Sequence, residues 1–144
     1  MTNGTETPQP RVLVVDDEQS NLDTISRVFR KQFVVKTARS GLEALDLIKA
    51  ETFDVALVDH AMPGMTGVEF LREAKALCPH LGLIMLTAHG DLDEVKNAHA
   101  TGLAVAVILK PWSKSQIEEW VLRLHKVSLM RQAVDGMKSN QSRS

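Results

Sequence analysis

The sequence predicts an α/β protein, a doubly wound sheet of five parallel strands flanked by five helices. Three observations carry this. A short apolar run followed by a stretch with helical spacing recurs five times along the chain. The strongest runs are apolar at consecutive positions, as in Val12-Leu13-Val14-Val15 and Val55-Ala56-Leu57-Val58, which marks strands covered on both faces. Most helical stretches open on a pair of side chains spaced to satisfy each other's free backbone donors. Alternating units of this kind build parallel sheets between helix layers, and right-handed crossovers leave few ways to wind them.

Met1 to Pro10 is polar and carries two prolines, so residues 1–10 are expected to form an unpacked lead. Arg11 opens the first strand, which runs into Asp16-Asp17-Glu18. A helix over about Ser20 to Lys31 follows, with Leu22, Ile25, Val28 and Phe29 on one face. Phe33 to Ala38 reads as the second strand. Ser40 and Glu43 are spaced to start a second helix, whose apolar face takes Leu42, Leu45, Leu47 and Ile48. The third strand, from Val55, stops at Asp59, and the chain turns through Met62-Pro63-Gly64. Thr66 and Glu69 then cap a helix from about Gly67 to Leu77, ended by Cys78-Pro79.

Leu81 to Leu86 is the fourth strand and delivers Thr87. Asp91 and Glu94 have capping-box spacing for a weakly apolar fourth helix (Leu92, Val95, Ala98) that Gly102 closes. Ala104 to Leu109 is the fifth strand and delivers Lys110-Pro111. Ser113 and Gln116 start a last helix carrying Ile117, Trp120, Val121 and Leu124. Beyond it Val127, Met130 and Val134 continue an apolar stripe, and after Gly136 the sequence is polar and expected to fray. This divides the chain into the lead, a unit over 11–126, and a helical extension and tail over 127–144. The stripe is open to three readings: pairing with a second copy, leading into an output domain, or a solvated extension.

With 144 residues, 44% of them hydrophobic, the chain is long enough to bury one real core. A net charge of -1 gives no reason to expect nucleic-acid contact or a charged membrane surface. The longest apolar run, Leu103 to Leu109, is too short to span a bilayer, and the N-terminus lacks a signal-peptide core. The single cysteine, Cys78, excludes an internal disulfide and fits a reducing compartment. The cytoplasm is the expected location.

Chemistry is expected where the strands end. In an open α/β sheet ligands gather beyond the carboxyl ends of the strands, with neighbours about 4.8 Å apart. The first strand ends in Asp16-Asp17, the third in Asp59, the fourth in Thr87 and the fifth in Lys110. Taken singly, each is an ordinary polar loop residue; taken together, five at four strand ends point to a site. Packed carboxylates need a counter-charge, and a hard dication with oxygen ligands, Mg²⁺, fits this donor set. Lysine and threonine suit phosphoryl oxygens. A carboxylate beside a metal and a cation is a nucleophile toward phosphorus.

On these residues the chain resembles the receiver domains of two-component response regulators, from about Arg11 to Lys126. The matching pieces are Val14-Val15-Asp16-Asp17-Glu18, Asp59 with Met62-Pro63-Gly64-Met65-Thr66-Gly67, Thr87-Ala88, and Lys110-Pro111. The resemblance implies a flavodoxin-like sheet in strand order 2-1-3-4-5 and a phosphorelay function. Asp59 would accept a phosphoryl group from a histidine kinase or phosphotransfer protein. Asp17 and Asp59 would ligate Mg²⁺ with the backbone carbonyl of Ala61, and Asp16 would act largely through water. Thr87 and Lys110 would contact phosphoryl oxygens, and the Lys110-Pro111 bond would be cis. Output would pass through the face of the fourth helix, fifth strand and last helix to a protein partner or an attached domain.

One departure stands out. The family commonly carries an aromatic residue three positions before the lysine, and here that position is Val107, which has no ring to bury. The fourth helix and the loop Ala88 to Asp91 are therefore expected to carry more of the switch. Ala61 and His89 flank the acceptor and the threonine. His60 beside Asp59 is consistent with packing alone, Trp120 with the core, and Trp112 with an exposed position at the phosphorylation edge. Two rival functions stay open: a haloacid-dehalogenase-like phosphatase, which would want a second acid where Ala61 stands, and an interaction scaffold that never receives phosphate.

Overall fold

A computed structural model describes residues 8–142. The elements alternate throughout: β1 (Arg11–Val15), α1 (Gln19–Phe29), β2 (Val34–Ala38), α2 (Gly41–Ala50), β3 (Val55–Asp59), α3 (Gly67–Leu77), β4 (Gly82–Thr87), α4 (Asp93–Ala100), β5 (Ala106–Leu109) and α5 (Lys114–Ser142). All four strand pairings are parallel, and the order is β2-β1-β3-β4-β5. This is the flavodoxin-like winding expected from the sequence.

Strand alternation divides the core between the two faces of the sheet. Val12, Val14, Val55, Leu57, Ile84, Leu86 and Ile108 pack with Leu22, Ile25 and Phe29 of α1 and with Ile117 and Val121 of α5. Leu13, Val15, Ala56, Val58, Leu83 and Met85 pack with α2, α3 and α4 through Ala44, Leu45, Phe70, Leu71, Val95 and Ala98. Every residue of β3 and β4 is buried. Those two strands therefore read as continuous apolar runs.

Three of the four expected caps form. Ser40 accepts from the Glu43 N–H, Thr66 and Glu69 make a reciprocal box, and Ser113 and Gln116 make another. Asp91 and Glu94 do not. The first turn of α4 begins one residue later than that box requires, behind Leu92, with no side-chain cap, because Glu94 is directed elsewhere. Gly102 closes α4 with φ +81°, a left-handed turn suited to glycine.

Strand bounds shift by one or two residues at the entry side. Phe33 precedes β2 as a core residue, and Ala104 is buried in the turn before β5. Leu42, expected on the apolar face of α2, is 67% exposed. Trp112, expected at the surface, is half-buried with its ring 6.0 Å from that of Phe29. Trp120 is also half-buried against the core, with Arg123 stacked on its outer face at 4.7 Å. Helix α5 passes unbroken through position 126 and Gly136 to Ser142. Residues 1–7 of the expected lead and residues 143–144 of the tail lie outside the described residues.

At the N-terminal edge of the sheet His125 ties α5 to two other segments. Its Nδ1 is 3.1 Å from Asp54 Oδ2 and its Nε2 is 2.9 Å from the Pro8 carbonyl. Asp54 also accepts from the Arg11 N–H at 2.8 Å. This junction fixes the side of the sheet away from the acidic cluster.

Candidate functional site

Register brings the polar strand ends together. Val15 lies opposite Val58 in the β1–β3 pair, so Asp16 and Asp59 follow at the same level. Asp59 faces Leu86 across β3–β4, and Thr87 faces Leu109 across β4–β5, which sets Thr87 and Lys110 one step beyond. Asp16, Asp59 and Thr87 are 4%, 7% and 3% exposed, so these polar groups are held at the edge of the core.

Asp16, Asp17 and Asp59 each present a carboxylate oxygen within 4.8 Å of the others. Lys110 Nζ lies 3.2 Å from Asp59 Oδ1 and 4.0 Å from Asp16 Oδ2. The Lys110-Pro111 peptide is cis. Asp16 is oriented by two donors: the Glu18 N–H at 2.9 Å to Oδ1 and the Asn21 side-chain amide at 3.0 Å to Oδ2. Arg39 reaches the backbone carbonyl of Asp17 at 3.2 Å. Ala61 is exposed, and its backbone N–H exerts a small downward pull on the Asp59 carboxyl. The Thr87 hydroxyl accepts from the His89 N–H at 2.9 Å.

Burial pushes the Asp59 carboxyl above its ordinary value of 3.8. The Lys110 ammonium draws it back, the Asp16 carboxylate raises it again, and burial prevails. Ionised Asp59 is thus held at a cost that a second cation would relieve. Three convergent carboxylates of which one is destabilised as an anion suit a hard dication, so the donor set fits the metal it implies.

The loop after Asp59 is pinned to the end of β3. A Cβ on Gly67 would stand 2.6 Å from the His60 Cα and 2.7 Å from the Asp59 carbonyl oxygen, leaving room for hydrogen only. The His60 carbonyl accepts from both Met62 and Gly67 N–H groups. Gly64 turns this loop with φ +74°. A cavity of about 210 Å³ opens beside the cluster, lined by Asp16, Asn21, Lys110, Pro111 and Trp112 over Ile25 and Leu86.

Two participants are not evident from the sequence. Asn21 sits in the first turn of α1, and nothing in its neighbourhood distinguishes it from a solvated polar residue. His60 is buried and pairs with Glu94 at 2.8 Å. The capping spacing of Glu94 concealed this partner.

Comparison with known proteins agrees with this geometry. Residues 12–122 match the family model of the response regulator receiver domain. The sporulation initiation phosphotransferase F of Bacillus subtilis is 32% identical over 112 residues, covering 77% of this chain and 90% of the relative. The hydrogenase transcriptional regulatory protein HoxA of Cupriavidus necator is 34% identical over 127 residues, or 88% of this chain, and the match spans only 24% of that relative. A response regulator receiver domain protein from Clostridium thermocellum superposes with a TM-score of 0.77 at 31% identity, covering 84% of this chain and 98% of that one. With its five-stranded winding and its acidic strand ends, the chain belongs to the response regulator receiver family of two-component signalling.

Proposed function

We propose that Asp59 is the phosphoacceptor of a two-component phosphorelay, taking its phosphoryl group from a histidine kinase or phosphotransfer protein. The observation that carries this is a buried, destabilised carboxylate held between an acid pair and the Lys110 ammonium. One carboxylate oxygen attacks phosphorus as the P–N bond to the donor imidazole breaks, and the imidazole leaves with that electron pair. Asp17 and Asp59 with the Ala61 carbonyl would hold Mg²⁺, and Asp16, oriented by Asn21 and Glu18, would act through water. Bound there, Mg²⁺ supplies positive charge to the phosphoryl oxygens.

The chain's own groups do the remaining work. Lys110 shifts from Asp59 Oδ1 to a phosphoryl oxygen. Thr87 turns its hydroxyl toward another. Because that hydroxyl accepts from the His89 N–H, its movement draws on the Ala88–Asp91 loop and favours a second arrangement of α4. The protein's chemistry is confined to transfer onto Asp59 and hydrolysis of its own aspartyl-phosphate.

The unit over residues 11–126 is the receiver, and the segment over 127–144, whose described part continues α5 to Ser142, leads toward a partner, an output domain or a second copy. The α4, β5 and α5 face is the output surface. The setting is the cytoplasm; among the described residues no helix is long and apolar enough to cross a membrane. Intact-mass analysis after incubation with acetyl phosphate tests the reading, with and without Mg²⁺, on wild type and Asp59→Asn. A Mg²⁺-dependent gain of one phosphoryl group, absent from the variant, is expected. No gain with acetyl phosphate or with phosphorylated donor protein would overturn it.

A further inference from the structure

Helix α4 is weakly held. It has eight residues, no side-chain N-cap, and only Val95 and Ala98 buried. Among the described residues one α4 side chain makes a hydrogen bond or ion pair to another element: Glu94, whose Oε1 lies 2.8 Å from His60 Nε2. Glu94 sits where a capping box with Asp91 was open to it, and it turns to His60 instead.

The other end of this contact is firmly seated in the β3–α3 loop. His60 directly follows Asp59 and is 6% exposed. Its carbonyl takes two N–H groups from the β3–α3 loop, and its Cα is packed against Gly67. Its Nδ1 is buried with no hydrogen-bond partner. If Glu94 withdrew, the buried imidazole would lose its one protein partner, since Nδ1 has none. The ring therefore holds the carboxylate, and the carboxylate holds the first turn of α4. On β5, Val107 is only partly buried and supplies no ring to brace the helix.

We propose that His60 is a positioning residue that ties the start of α4 to the acceptor end of β3, so that rearrangement at Asp59 reaches α4 through the His60–Glu94 contact. The tie stands on its own geometry; its use in signalling rests on the reading of Asp59 as phosphoacceptor. Phosphorylation would shift the β3–α3 loop, and α4 would follow because its one polar anchor lies there.

The test is amide hydrogen exchange on the full chain, comparing wild type with Glu94→Ala, Glu94→Gln and Asp93→Asn. Glutamine keeps an oxygen for His60 Nε2, and Asp93→Asn removes a first-turn charge without touching the tie, which controls for the helix dipole. Without phosphodonor, Glu94→Ala should speed exchange of residues 93–100 about tenfold while Glu94→Gln and Asp93→Asn stay near wild type. Equal exchange in Glu94→Ala and Asp93→Asn, or no rescue by glutamine, would overturn the tie. After acetyl phosphate and Mg²⁺, with one phosphoryl group confirmed by mass, α4 exchange should change in wild type and stay fixed in Glu94→Ala. An equal response in both, or none in phosphorylated wild type, would overturn the coupling. Failure of wild type to take a phosphoryl group would instead overturn the acceptor assignment, and the first comparison would still decide the tie.

Discussion

Lys110 Nζ stands 3.2 Å from Asp59 Oδ1 and is the only cation in ion-pair contact with that carboxylate among the described residues. Its ammonium partly offsets what burial and Asp16 do to Asp59. Lys110→Met should therefore leave the fold intact, since the lysine side chain is partly exposed. It should slow phosphorylation by acetyl phosphate about 100-fold, the usual order for removing one preorganised positive group from a site of developing charge. Time-resolved intact-mass measurement reads this directly, and a rate within a few-fold of wild type would contradict the role given to Lys110.

The raised Asp59 value has a definite sign in stability. An acid with a folded-state pKa above its unfolded value binds protons more tightly in the folded state. Its favourable contribution is complete below about 3.8 and declines as pH rises through the higher folded value. Asp59→Asn should consequently raise the melting temperature of the metal-free protein by a few degrees at neutral pH and flatten this part of its pH dependence. Mg²⁺ should stabilise wild type and leave the variant nearly unchanged. Calorimetry across pH 3–8, with and without Mg²⁺, decides it.

Gly67 makes a third prediction, because the Asp59 and His60 backbones occupy the space a methyl group would need. Gly67→Ala should cost about 1–3 kcal/mol in denaturant titration, as overpacking does elsewhere. It should also lower the phosphorylation rate, since the atoms that must shift belong to Asp59 and its neighbour His60. Gly136→Ala, where the added carbon meets nothing within 4 Å, should show neither effect.

Trp112 offers an optical probe. It lines the cavity shared by Asp16 and Lys110 and leans on Phe29. In a Trp120→Phe background, adding Mg²⁺ should change the indole emission with a saturable dependence on concentration. With Trp112→Phe instead, the remaining Trp120, which is packed under Arg123, should report no change.

How far these features were legible depends on what each residue answers to. The apolar runs of β1, β3 and β4 end abruptly in Asp16, Asp59 and Thr87, because a doubly buried strand tolerates a polar side chain only where it leaves the sheet. The convergence of Asp16, Asp59 and Thr87 was therefore readable from strand ends alone. Glu94 was not, since D-x-x-E spacing serves a local cap and a tertiary partner equally, and His60 won. Trp112 was placed at the surface from its position after Pro111, yet Phe29, at the last turn of α1, meets it on the same face of the sheet. Leu42 failed for the opposite reason: helical spacing puts it beside core positions, but α2 has only one buried stripe, and Leu42 lies outside it.

Helix α5 carries a mechanical consequence. At about 1.5 Å per residue its 29 residues form a rod of roughly 43 Å. Ile117, Val121, His125 and Ser128 are buried along its first half, while nothing from Gln132 to Gly136 is buried. The helix is thus a lever with its fulcrum on the sheet, and its backbone runs on for about 20 Å beyond Ser128. A tilt of about 5° at the sheet, well within the scatter of helix packing angles, sweeps the tip through roughly 2 Å. Any change at the strand ends that tilts α5 is thereby enlarged, at its far turns, into a displacement the size of a side-chain contact.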